Sequence, residues 1–137
     1  DAVDRLRERG DRVGLVRPRL LRPYPRDHVR RALLGKRAVA VIDQNLSMGQ
    51  GGVLHTELAA ALYGQAGAPP LLSFVTGLGG RDVAAEELYA IADAARRAAD
   101  DGVVPEPRLV YTRREQETMR RLQAIATAER RELGGRP

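Results

Sequence analysis

Strands alternating with helices along a chain of 137 residues predict an α/β fold: three layers, α/β/α, around a mostly parallel sheet. Three observations carry that expectation. Residues 38–43 (Ala-Val-Ala-Val-Ile-Asp) and 71–75 (Leu-Leu-Ser-Phe-Val) are short continuous apolar runs, the pattern of strands buried on both faces. Each run meets a glycine-rich turn, and each turn leads into apolar residues at helical spacing. Right-handed crossovers then place the turns after Ile42 and after Val75 on one edge of the sheet, at the carboxyl ends of their strands.

In chain order, residues 1–9 read as a helix with Val3 and Leu6 on one face, closed by Gly10. Residues 12–16 (Arg-Val-Gly-Leu-Val) read as a strand. Pro18, Pro23 and Pro25 forbid regular structure through residues 17–25. Pro25 suits the first turn of a helix reaching about Leu34, with Val29, Leu33 and Leu34 inward and Gly35 as the stop. After the strand 38–43, a helix from about Val53 to Tyr63 carries Leu54, Leu58, Ala61 and Leu62. After the strand 71–75, a helix from about Ala84 to Asp101 carries Leu88, Ile91, Ala92 and Ala95. Gly102, Pro105 and Pro107 hold the chain extended before a short strand at 108–111. Thr112 and Glu115 form a capping box for a last helix with Met119, Leu122, Ile125 and Ala126 on one side. The expected order is α-β-α-β-α-β-α-β-α, in a single α/β domain over residues 1–133 with a tail at 134–137.

Composition narrows the function. Hydrophobic residues make up 43% of the chain but aromatics only 4%, so one aliphatic core is expected. There is no cysteine, which excludes a disulfide scaffold and iron–sulfur clusters held by thiolates of this chain. His28 and His55 are the only histidines, so no His-based metal site is expected. No apolar run approaches the ~20 residues of a membrane helix. The net charge is +5 with a pI of about 10.4, compatible with nucleic acid or an acidic protein as partner. Acidic residues are interspersed and no aromatics interleave with the arginines, which argues against nucleic acid. A stand-alone basic binding module, for nucleic acid, a nucleotide or an acidic protein, is the alternative reading.

Two loops hold the candidate site. The first offers Asp43, Asn45, Ser47, Gly49, Gly51 and Gly52; the second offers Gly77, Gly79, Gly80, Arg81 and Asp82. Neither fits the dinucleotide fingerprint, because Leu54 and Asp82 stand where its third glycine is required. Each keeps the geometry to hold an anion on amides at a helix N-terminus. Asp43 is the best-placed single carboxylate, and its expected role is to accept hydrogen bonds from its own loop. Asp82 suits a helix cap. Arg81 suits either a carboxylate or phosphate on a neighbouring domain or an internal Arg81–Asp82 network. Ser47 has no nucleophile-elbow pattern around it. No catalytic residue and no metal ligand set emerges.

Taken together, Val41-Ile42-Asp43-Gln44-Asn45-Leu46-Ser47-Met48-Gly49-Gln50-Gly51-Gly52, Gly77-Leu78-Gly79-Gly80-Arg81-Asp82-Val83, Arg12-Val13-Gly14-Leu15 and Arg22-Pro23-Tyr24-Pro25 resemble one family, the 2-oxoacid (pyruvate):ferredoxin/flavodoxin oxidoreductases. The likeness is to the transketolase-C-terminal-like domain, core domain II, of the α subunit or region. It spans nearly the whole chain, and Gly-Leu-Gly-Gly-Arg-Asp is its most specific part. Departures are Gln44 for the family's usual arginine, Met48 for a frequent aromatic residue, and Ala84-Ala85 for a frequent Thr-Pro. The family's strand before the first helix is missing, so a fragment of a longer chain is expected.

The resemblance implies a cytoplasmic, oligomeric enzyme that oxidises a 2-oxoacid, pyruvate foremost, to acyl-CoA and CO2 while reducing ferredoxin. It implies thiamine diphosphate, magnesium and iron–sulfur clusters in other domains or subunits, coenzyme A as substrate, and no cofactor bound by this chain alone. This chain is then a structural and assembly domain, inactive by itself.

Overall fold

The computed structural model describes residues 1–47 and 51–134. The elements are α1 (Ala2–Glu8), α2 (Arg26–Leu33), β1 (Val39–Asp43), α3 (Val53–Leu62), β2 (Leu71–Val75), α4 (Ala85–Asp101), β3 (Arg108–Leu109) and α5 (Arg113–Gly134). A 3-10 turn covers Leu78–Gly80. The sheet runs β1-β2-β3 and is parallel throughout, with Val39 opposite Leu71, Asp43 opposite Val75, and Val75 opposite Leu109.

Strand periodicity divides the core between two faces. Val39, Val41 and Leu71 pack with Val29 and Leu33 of α2 and Leu58 and Leu62 of α3. Ala40, Leu72 and Phe74 pack with Ile91, Ala94 and Ala98 of α4. The alanines on both sides of this second contact let α4 lie close to the sheet. Leu72 and Phe74 are almost wholly buried, each contributing about 1.5–3 kcal/mol of hydrophobic stabilisation. Against α4 lies α1, with Leu6 buried and the Arg9 guanidinium 4.6 Å from the centre of the Tyr89 ring. Three layers result, as expected.

The helices stop where the sequence stops them. Gly35, at φ +73°, and Gly102, at φ +70°, follow α2 and α4 in the left-handed region that favours glycine. The Gly35 N–H donates to the Gly67 carbonyl at 2.8 Å, tying together the turns at the amino ends of β1 and β2.

Residues 12–16 are a correction. They form no strand, and the sheet has three strands among the described residues rather than four. Val13 and Val16 have β propensity, but a strand needs a ladder; Leu15 and Val16 are exposed instead. The segment is held at its start by Arg7 Nε donating to the Val13 carbonyl at 2.8 Å. β3 is also shorter than expected, two residues in place of four. α5 begins at the expected capping box: Thr112 N–H donates to Glu115 at 2.7 Å and Glu115 N–H donates to Thr112 Oγ1 at 3.2 Å. Its apolar residues Met119, Leu122 and Ile125 are exposed.

Candidate functional site

The two glycine loops leave the sheet side by side. Asp43 and Val75 are register partners at the ends of β1 and β2, and Thr76 N–H donates to the Asp43 carbonyl at 3.0 Å. Gly77 meets the first loop directly: a Cβ on it would stand 2.8 Å from Gln44 Nε2. The expectation that both loops share one edge is met.

In the first loop, Asp43 turns inward and is 3% exposed. Its Oδ1 accepts from Leu54 N–H at 2.9 Å and its Oδ2 from His55 N–H at 3.1 Å. Asn45 Oδ1 accepts from Val53 N–H at 2.9 Å. The first three amides of α3 are thus satisfied by side chains of the preceding loop, an N-cap delivered from eight to twelve residues upstream. A carboxylate there also suits the positive end of the helix. The expected partners of Asp43 in its own loop are therefore corrected: they are the amides of α3, with Asn45 Nδ2 a longer contact at 3.4 Å. These bonds leave the start of α3 no free amide cradle for an anion. Gly52 makes the arrangement possible, because a Cβ there would lie 1.9 Å from Asp43 Oδ2. Ser47 N–H donates to the Gly51 carbonyl at 2.7 Å and closes the loop. Gly49 lies outside the described residues.

In the second loop, Gly79 and Gly80 answer a backbone need alone, while Gly77 answers both a backbone need and a spatial one. Gly77, Gly79 and Gly80 have φ of +68°, +72° and +82°, and open space surrounds the last two. The loop turns Arg81 back beneath itself. Its Nη1 and Nη2 donate to the two oxygens of Glu87, each at 2.8 Å, a bidentate fork. Nη2 also reaches Thr76 Oγ1 at 2.8 Å and the Val110 carbonyl at 3.0 Å, and Nη1 the Asp82 carbonyl at 2.9 Å. Nε lies 3.1 Å from Glu115 Oε1. The donors of both Nη groups have acceptors, and Nε meets Glu115 as an ion pair.

The electrostatics follow from this pairing. The Arg81 guanidinium holds the Glu87 carboxyl below its ordinary range, against burial, with the Ala84 amide assisting. Glu115 is lowered by the Thr112 N–H first and by Arg81 as well. Glu87 raises the Arg81 pKa in return.

Asp82 is exposed and offers Arg81 only its carbonyl; of the two expected roles of Arg81, the internal network is present, but it is built on Glu87 rather than on the Asp82 side chain. The cap of α4 is corrected too: the Ala84 N–H donates to Glu87 Oε2 at 2.8 Å. Sequence reasoning missed Glu87 and Thr76. The available signal was Glu87 three residues past Ala84, the spacing of a reciprocal cap.

A cavity of about 60 Å³ lies beside Arg81, between Thr76, Gly77, Val110 and Tyr111. It has room for a few water molecules and none for a cofactor. A surface depression of about 630 Å³ is lined by α1 residues such as Asp4 and Glu8 and shares none with either loop. Among the described residues no group of three or more His, Cys, Asp or Glu is placed to hold a metal ion. Among the described residues the first amides of α3 are already taken by Asp43 and Asn45, and the sequence has no cysteine to ligate an iron–sulfur cluster. No helix among the described residues is long and apolar enough to cross a membrane.

The family described as pyruvate:ferredoxin oxidoreductase core domain II matches residues 1–88. Ketoisovalerate oxidoreductase subunit VorA of Pyrococcus furiosus is 38% identical over 104 residues, covering 76% of this chain and 26% of the relative. Pyruvate synthase subunit PorA of Methanosarcina barkeri is 30% identical over 116 residues, 84% and 29% of the two chains. The PorA subunit of Thermotoga maritima is 37% identical over 101 residues, 74% and 24%. The chain spans about a quarter of the length of these curated relatives.

Proposed function

The chain belongs to the pyruvate:ferredoxin oxidoreductase core domain II family, and from that premise we propose that it is a structural and assembly domain of a cytoplasmic, oligomeric 2-oxoacid:ferredoxin oxidoreductase. The parent enzyme oxidises a 2-oxoacid with coenzyme A to an acyl-CoA and CO2 and passes the electrons to ferredoxin. Thiamine diphosphate, magnesium and the iron–sulfur clusters belong to its other domains or subunits. Pyruvate and a branched 2-oxoacid are both open as substrates, since relatives named for pyruvate and for ketoisovalerate match alike.

One observation carries this reading. The polar side chains of the two loops are spent inward, Asp43 on α3 and Arg81 on Glu87 and Glu115. What the second loop turns outward is Leu78, Gly79, Gly80 and Asp82. An edge whose arginine and buried aspartate are internally paired, and whose outer surface is mostly small and apolar with Asp82 as its one outward charge in the second loop, suits packing against another piece of protein. Leu78, Gly79, Gly80, Asp82 and the outer residues of the first loop are then interface residues, with Gly77 buried beneath them. Arg81 and Asp43 are positioning residues that hold those surfaces in shape.

The test has two arms. The isolated chain is expected to give no 2-oxoacid-dependent dye or ferredoxin reduction, and no heat of binding with thiamine diphosphate. Joined with the remaining parts of its enzyme, it is expected to restore turnover, and Leu78→Glu on the loop is expected to prevent assembly. Turnover by the isolated chain, or normal assembly of the Leu78→Glu variant, overturns the reading.

A further inference from the structure

Residues 15–21, Leu-Val-Arg-Pro-Arg-Leu-Leu, form an exposed strap far from either loop in sequence. Both ends are fastened. On one side Asp11 N–H donates to the Leu6 carbonyl at 3.0 Å and Arg7 holds Val13. On the other, Arg22 pairs with Glu57 at 2.6 Å and Tyr24 packs on the core with α2 and α3.

Between the fastenings the chain is bare. Leu15 is 66% exposed, Val16 50%, Leu20 50% and Leu21 46%. Single exposed leucines are ordinary, but four in seven residues form a patch that calls for a cover. Residues 12–26 contain five arginines and no acidic residue. Among the described residues Arg12, Arg17 and Arg19 have no ion-pair partner. Regular secondary structure is absent over residues 15–21, so most of the backbone groups there also remain available to a partner.

We propose that this strap docks into a groove on a neighbouring part of the parent enzyme, with an apolar floor for Leu15, Val16, Leu20 and Leu21 and an acidic rim for Arg12, Arg17 and Arg19. The inference rests on the assembly reading above and adds a second contact to it, independent of the glycine loops. Charge and apolarity together select the partner. A phosphate polymer matches the arginines but gives four aliphatic side chains nothing to bury against, whereas an acid-rimmed protein groove answers both. The curated relatives are roughly three times as long as this chain, so the parent enzyme has protein to supply the groove.

Two variants of the full chain test it, Arg17→Glu/Arg19→Glu and Leu15→Ser/Leu20→Ser, each mixed with the remaining parts of the enzyme and followed by sedimentation. Because the strap is exposed, both are expected to keep the parent's circular dichroism and melting temperature. Both are expected to raise the dissociation constant about ten-fold or more, the first with a weaker salt dependence than the parent. Unchanged affinity in both overturns the strap, while loss of assembly in Leu78→Glu still stands for the loops. A parent chain that fails to assemble overturns both readings. Binding of random-sequence DNA or bulk transfer RNA that Arg17→Glu/Arg19→Glu abolishes, with assembly untouched, also overturns the proposal and assigns the strap to nucleic acid.

Discussion

Gly52 in the first loop at the carboxyl edge of the sheet and Gly79 in the second are glycine for opposite reasons. Gly52 is required by space: any Cβ there would collide with the Asp43 carboxylate at 1.9 Å, although the residue's own φ of −80° is ordinary. Gly79 is required by backbone: its φ is +72° and nothing lies within 4 Å of the position a Cβ would take. A motif of repeated glycines therefore joins two different constraints, and substitutions should separate them.

The largest expected effect is Gly52→Ala. Displacing Asp43 both overpacks the turn and uncaps α3, a combined loss of about 3 kcal/mol. The thermal midpoint should fall by roughly 10 °C. A midpoint close to the parent's would show that the carboxylate does not seat against Gly52. Next is Glu87→Gln, which removes the charge that Arg81 grips at two points. The expected loss is about 2 kcal/mol, read by urea denaturation with the slope unchanged. Smallest is Gly79→Ala, where the left-handed backbone alone costs about 1 kcal/mol, and Gly79→Asn should cost less still. If Gly79→Ala proved as damaging as Gly52→Ala, the contrast drawn between the loops would fail.

Acid titration sharpens the same contrast. Glu87 and Glu115 have folded pKa values below the ordinary 4.5, so the unfolded chain takes up protons first as the pH drops. Their stabilisation is fully present above about pH 4.5 and is lost as the pH falls below it toward their folded values. Stability measured from pH 6 to pH 3 should decline, and the Glu87→Gln variant should decline less steeply. Equal slopes for the two proteins would remove Glu87 from the account of acid sensitivity.

What the sequence disclosed and what it hid divide along physical lines. β1 and β2 were legible because both are apolar runs bounded by glycine turns, and their parallel pairing followed from the helix between them. The Thr112–Glu115 cap was legible because its partners are three residues apart. Arg12–Val13–Gly14–Leu15–Val16 misled because strand propensity says nothing about whether a neighbour exists to complete the ladder. The reach of Asp43 to Leu54 and His55 was hidden, since it depends on a loop folding back over eleven residues. The same holds for Arg81, whose neighbour in sequence, Asp82, drew attention from Glu87, its neighbour in space.

Glu115 serves two attachments at once, capping α5 through Thr112 and meeting Arg81 through its other oxygen. A helix of 22 residues is ~33 Å long, so a tilt of about 10° at this root would carry the far tip through about 6 Å. Any small adjustment beneath the second loop would thereby be magnified along a lever at the far tip of α5.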